Sequence, residues 1–161
     1  AVVDRVAEAL GEVDPAGAAR YRAAAADADA DLAALDEAFR TGLARCESRL
    51  LVVSHAAFGY VADAYDLRQE AVAGTSPEAE PDPQRLAELR SLVREEGVTT
   101  VFTEPLVSPA VAETLAAETG ATTAVLDPLE GLTAERRTAG EDYGSVMRDN
   151  LEALRDGLRC D

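Results

Sequence analysis

The chain has 161 residues, 47% of them hydrophobic, which is enough apolar side chain for one folded domain with a real core. Its 31 acidic residues against 15 basic ones, all Arg because Lys is absent, give a net charge of −16 and argue against nucleic-acid binding. No stretch approaches the roughly 20 apolar residues of a membrane span.

The first residues already carry a helical pattern (Val2, Val3, Val6, Leu10) with no signal peptide ahead of it, so the chain is expected to be a processed form or a fragment. Residues 15–47 are Ala-rich, with apolar or small side chains at Tyr21, Ala25, Ala28, Leu32, Leu35, Phe39, Leu43 and Cys46, spaced three or four apart. Asp14-Pro15 supplies an N-cap and a first-turn proline. A helix over that whole stretch would run roughly 50 Å, too long for a compact domain of this size, and reads as a rigid spacer with a coiled-coil segment as the alternative.

After it, strands and helices alternate. Strands are predicted over 50–54, near 70–74, and over 98–103 and 121–126, with helices over about 56–65, 83–96 and 108–119 between them. Asp82-Pro83 and Ser108-Pro109 read as N-caps followed by proline, and Gly97 and Gly120 as helix ends. Such alternation implies crossover units and a four-stranded parallel sheet flanked by helices, an α/β fold behind a long N-terminal helix. Residues 132–141 lack an apolar period and read as a mobile surface loop. Tyr143, Val146, Met147, Leu151, Leu154 and Leu158 then mark a closing helix over 142–159. The domain division expected is 1–48, a helical linker, and 49–161, the α/β lobe.

The only histidine, His55, follows the apolar run 50–53, at the carboxyl end of a predicted strand. Glu104-Pro105 and Asp127-Pro128 follow two other strands in the same way. Ligands of open parallel sheets sit at that edge, so His55, Glu104 and Asp127 converge if the strands are parallel and adjacent. One nitrogen and two carboxylates suit a borderline divalent cation such as zinc or manganese. The polar, proline-rich loop 74–83 belongs to the same edge and is placed to shape or cover the site. Taken singly, His55 is equally a capping or core histidine, and Asp127 and Glu104 are ordinary turn residues. Cys46 and Cys160, 114 positions apart near element ends, suggest a disulfide and an oxidising compartment, with two unpaired buried thiols as the alternative.

Four stretches occur together and in a telling order: Ser54-His55-Ala56-Ala57-Phe58-Gly59-Tyr60, the Gly74–Pro81 loop, Val101-Phe102-Thr103-Glu104-Pro105, and Leu126-Asp127-Pro128-Leu129. With the terminal helix carrying Asn150-Leu151, they resemble the C-terminal half of the solute-binding proteins of zinc and manganese ABC transporters. The resemblance implies one lobe of a two-lobed, extracytoplasmic protein, periplasmic or lipid-anchored, that holds a metal between its lobes and delivers it to a membrane permease. It implies that His55 and Asp127 are metal ligands and that Glu104 orients His55 or the neighbouring backbone. An imidazole at position 55 favours Zn2+ over Mn2+. The family's first two ligand histidines lie in the N-terminal lobe, so this chain carries half a site that depends on that missing lobe. Two other classes compete with this expectation. One is a metal-dependent α/β enzyme using His55 and a carboxylate as an acid–base pair; Ser54 is a poor nucleophile for it, since neighbouring strand residues face opposite ways. The other is an acidic interaction domain associating through its long helix.

Overall fold

The computed structural model describes residues 2–76, 82–105 and 107–161. The chain forms two compact units, Ala1–Ala38 and Phe39–Asp161.

In the first unit, α1 (Val2–Val13) leads through a 3-10 turn at Pro15–Gly17 into α2 (Ala18–Gly42), whose last residues, from Phe39, belong to the second unit. Asp14 caps this turn: its Oδ1 accepts from the Gly17 N–H at 3.2 Å, and its Oδ2 accepts the Tyr21 hydroxyl at 2.9 Å. A Cβ on Gly17 would lie 2.3 Å from that same Oδ2, so the corner needs glycine. Val2, Val6, Leu10 and Val13 form an exposed apolar stripe along α1. The long helix is therefore shorter than expected: it starts after the 3-10 turn and ends at Gly42, because the segment up to Leu50 is drawn into pairing with the C-terminus.

The second unit is an α/β sandwich. It contains β1 (Leu50–Val53), α3 (Gly59–Ala64), β2 (Arg68–Ala71), α4 (Pro83–Glu95), β3 (Thr100–Thr103), α5 (Ala110–Thr119), β4 (Thr122–Val125), α6 (Ala134–Thr138) and α7 (Tyr143–Leu158). The four strands are all parallel, in the order β2-β1-β3-β4, with Val52 opposite Val101 and Val53 opposite Phe102. This is the predicted fold. β1 and β3, covered on both faces, are buried throughout, which is why they read as continuous apolar runs. On one face Leu50, Val52 and Val101 pack with Leu89 and Val93 of α4 and Ala112, Leu115 and Ala116 of α5. On the other lies α7, so close that a Cβ on Gly157 would stand 2.5 Å from Phe102 Cζ.

Local signals account for most of the element ends. Asp82 accepts from the Gln84 N–H at 2.9 Å to cap α4, and Gly97 and Gly120 take the positive φ values that end α4 and α5. Three expectations shift. α5 begins at Ala110 rather than at 108, with the Ala110 N–H donating to Ser108 Oγ at 3.5 Å. β2 lies at 68–71 rather than 70–74, because this edge strand presents Arg68, Gln69 and Glu70, and the apolar pattern beyond it misled the placement. Residues 132–141 are not a featureless loop: Thr133 caps α6, its Oγ1 accepting from the Arg136 N–H. The centre of the expected covering loop, residues 77–81, lies outside the described residues.

Cys46 and Cys160 form a disulfide. Around it the Glu47 and Ser48 N–H groups donate to the Arg159 and Leu158 carbonyls at 3.2 and 3.1 Å, and Asp161 N–H donates to Arg45 O at 3.0 Å. The C-terminus is thus sewn to the chain just before β1. Phe39, at the start of this unit, stacks on Tyr65 with ring centres 5.1 Å apart.

Candidate metal centre

In the order β2-β1-β3-β4 the chain moves outward from β1 in one direction and then from β3 in the other. The crevice at the carboxyl ends of β1 and β3 is therefore the switch point at which parallel sheets bind ligands. His55 follows β1 and Glu104 follows β3, and the two meet there. Glu104 Oε1 accepts from the His55 backbone N–H at 3.1 Å, and its carboxylate lies 2.6–2.7 Å from His55 Nδ1. Both residues are buried, His55 to 3% exposure and Glu104 to 6%. A carboxylate can only accept, so these partners place a proton on Nδ1 and leave Nε2 for a second partner.

What Nε2 faces is a carboxylate that the sequence reading missed. Glu130 Oε1 lies 3.6 Å from it, on a side chain half exposed to solvent. The signal available was slight: Glu130 sits in the same turn as Asp127, two residues past Pro128 and beyond the strand end itself.

Asp127 is placed by two kinds of contact. Its backbone is clamped to α7 by Asn150, whose Oδ1 accepts from the Asp127 N–H and whose Nδ2 donates to the Asp127 carbonyl, both at 2.8 Å. Its Oδ1 accepts from the Leu129 N–H at 2.8 Å, closing an Asx turn over which Leu129 takes a positive φ of 60°. Its Oδ2 is, among the described residues, the one buried side-chain oxygen without a hydrogen bond. The nearest cation is the Arg136 guanidinium of α6, with Nε 3.7 Å away. Arg136 is itself held by Asp149 at 2.9 Å and by Glu141, and these bonds raise it above the ordinary guanidinium value, the Asp149 bond first.

The structure thus brings His55 and Glu104 into contact and puts Asp127 beside Glu104 and Glu130, which line a common cavity of about 10 Å³ with Pro105, Val107 and Pro128. That is close to the least room that holds a single water. Among the described residues no three His, Cys, Asp or Glu side chains stand together in a geometry that could hold a metal ion. The arrangement offers one nitrogen and one nearby carboxylate, an incomplete coordination sphere.

The family profile described as "ZnuA: Zinc-uptake complex component A periplasmic" matches residues 1–157. The chain belongs to this family. It is 41% identical over 154 residues to the zinc-binding protein AdcA of Streptococcus pyogenes serotype M1, an alignment covering 96% of this chain and 30% of AdcA. With the high-affinity zinc uptake system protein ZnuA of Bacillus subtilis strain 168 it shares 39% over 145 residues, 90% of this chain and 46% of that protein. The fold matches the crystal structure of the Zn(II)-bound ZnuA-like domain of Streptococcus pneumoniae AdcA with a TM-score of 0.80 at 39% identity, covering 96% of this chain and 58% of that one. The chain spans less than half the length of these two curated ZnuA-family relatives.

Proposed function

We propose that this chain is the C-terminal lobe of an extracytoplasmic protein that captures Zn2+ and delivers it to a membrane ABC permease. In this reading 1–48 is the helical linker and 49–161 the metal-binding lobe, and the zinc is cargo. The single observation that carries it is His55: buried, fixed through Nδ1 by Glu104, with Nε2 directed at Glu130. A histidine held by a carboxylate on one nitrogen and open on the other is how proteins prepare an imidazole for a metal.

His55 Nε2 and Glu130 are the pair assigned to the ion, and Glu104 orients the imidazole. Asp127, expected as the second ligand, keeps one oxygen free and lines the cavity beside Glu130; it is the reserve carboxylate of the site. Zinc takes four ligands, so two from this lobe require a second lobe for the others. The exposed apolar stripe of α1 supports a further protein surface on the linker side. The enzyme alternative has no comparable support, because the family profile matching residues 1–157 is that of a zinc-uptake component.

The test is a zinc titration of the isotope-labelled chain followed by NMR, with magnesium as the control for its diffuse acidic surface. Shifts at His55, Glu104 and Glu130 with zinc, absent with magnesium and lost in His55→Ala, are expected. Zinc binding that survives His55→Ala unchanged would overturn the assignment.

A further inference from the structure

Asp127 poses a physical problem. A carboxylate with 3% exposure and one oxygen without a hydrogen bond is costly to bury. It also lies beside the candidate metal site, since Asp127 lines a cavity with Glu104 and Glu130. The charge matched to it is Arg136, whose Nε stands 3.7 Å from Oδ2, too far for a hydrogen bond and close enough for a strong Coulombic pairing. Arg136 is not free to wander: its Nη1 is fixed by Asp149 at 2.9 Å and by Glu141, and its backbone N–H is capped by Thr133.

We infer that Arg136 is a specificity-determining residue of the metal site: it holds the charge of Asp127 in reserve, and so keeps a second carboxylate from joining His55 and Glu130 on the ion. An added carboxylate would favour manganese, which prefers oxygen ligands in larger number, over zinc, which is satisfied by nitrogen and few ligands. Arg136 touches neither the ion nor its ligating atoms; it acts through Asp127. This inference rests on the zinc reading proposed above.

The experiment compares Zn2+ and Mn2+ binding by competition titration in the unmodified chain, in Arg136→Gln, and in Arg136→Gln combined with Asp127→Asn. Asparagine keeps an oxygen to accept from Leu129 while losing the charge. Arg136→Gln is expected to tighten Mn2+ about tenfold and leave Zn2+ within about threefold, and the added Asp127→Asn to restore the original ratio. A variant-independent measurement accompanies it: carboxyl carbon NMR of the unmodified chain, in which zinc moves the Glu130 resonance and leaves that of Asp127 in place. That spectrum decides the matter if Arg136→Gln does not fold. His55→Ala separates the two failures. Zinc binding indifferent to His55→Ala removes the zinc reading itself. His55-dependent binding with an unchanged Zn2+/Mn2+ ratio in folded Arg136→Gln, a ratio change that persists in the double variant, or movement of the Asp127 carboxyl with zinc overturns the role of Arg136 alone.

Discussion

Asn150 shows how one buried side chain on α7 fixes the backbone at the candidate site. Its side-chain amide makes two buried hydrogen bonds to the backbone of one residue, the N–H and C=O of Asp127, and thereby fixes where the turn carrying Glu130 leaves β4. Alanine there would strand a buried backbone donor and a buried acceptor, at roughly 1–3 kcal/mol for each group left unpaired. Asn150→Ala is expected to lower stability by at least about 2 kcal/mol in urea denaturation and to weaken zinc binding in the same protein. The residue was legible only as part of a family-like ending, because its partner is 23 positions away and no local pattern announces the pair. His55 and Glu104 were legible for the opposite reason: each ends an apolar strand, and parallel topology brings strand ends together. Glu130 was not, since it belongs to a turn whose path depends on Asp127, Leu129 and Asn150 jointly.

At the scale of elements, the caps carry their own pH dependence. Asp142 begins α7 with a capping box: its carboxylate accepts from the Ser145 N–H at 2.9 Å, and the Asp142 N–H donates to Ser145 Oγ at 2.9 Å. The bond from the Ser145 backbone, foremost, holds the carboxyl below its ordinary value of 3.8. A group whose folded pKa is lowered stabilises the fold above its unfolded pKa and loses that contribution as pH falls through the folded one. The unfolding midpoints of the unmodified chain and Asp142→Ala should therefore differ near neutral pH and converge as the solution is acidified below the carboxylate range. A gap that stays constant into acid would show that the carboxylate charge is not what α7 uses. The elements the sequence reading placed well are those with such punctuation, α4 and α7 above all. It misplaced β2, whose exposed polar face hides the period, and missed α6, whose five residues are too few to show one.

For the whole molecule, the disulfide is the largest single constraint. Bridging residues 114 apart removes entropy from the unfolded chain worth about 4–5 kcal/mol in the loop-closure model. Reduction, or Cys46→Ser with Cys160→Ser, is expected to lower the free energy of unfolding by an amount of that order, read from denaturant curves with and without reductant. Curves that superimpose would mean that the antiparallel pairing of Glu47 and Ser48 with the C-terminal residues suffices without the bond. Charge and composition placed no element of the fold. The four-stranded parallel sheet followed from alternation alone, whereas the end of α2 at Gly42 did not, because it is imposed by the far end of the chain.

The same bond makes the segment from Cys46 to Cys160 a closed covalent ring, sealed at the amino-terminal edge of the sheet, the edge opposite to His55 and Glu104. One hydrolysed peptide bond anywhere within that ring opens it without releasing a piece. A singly nicked lobe would migrate intact on a non-reducing gel and as two bands on a reducing one, still presenting its strand ends on a single connected body.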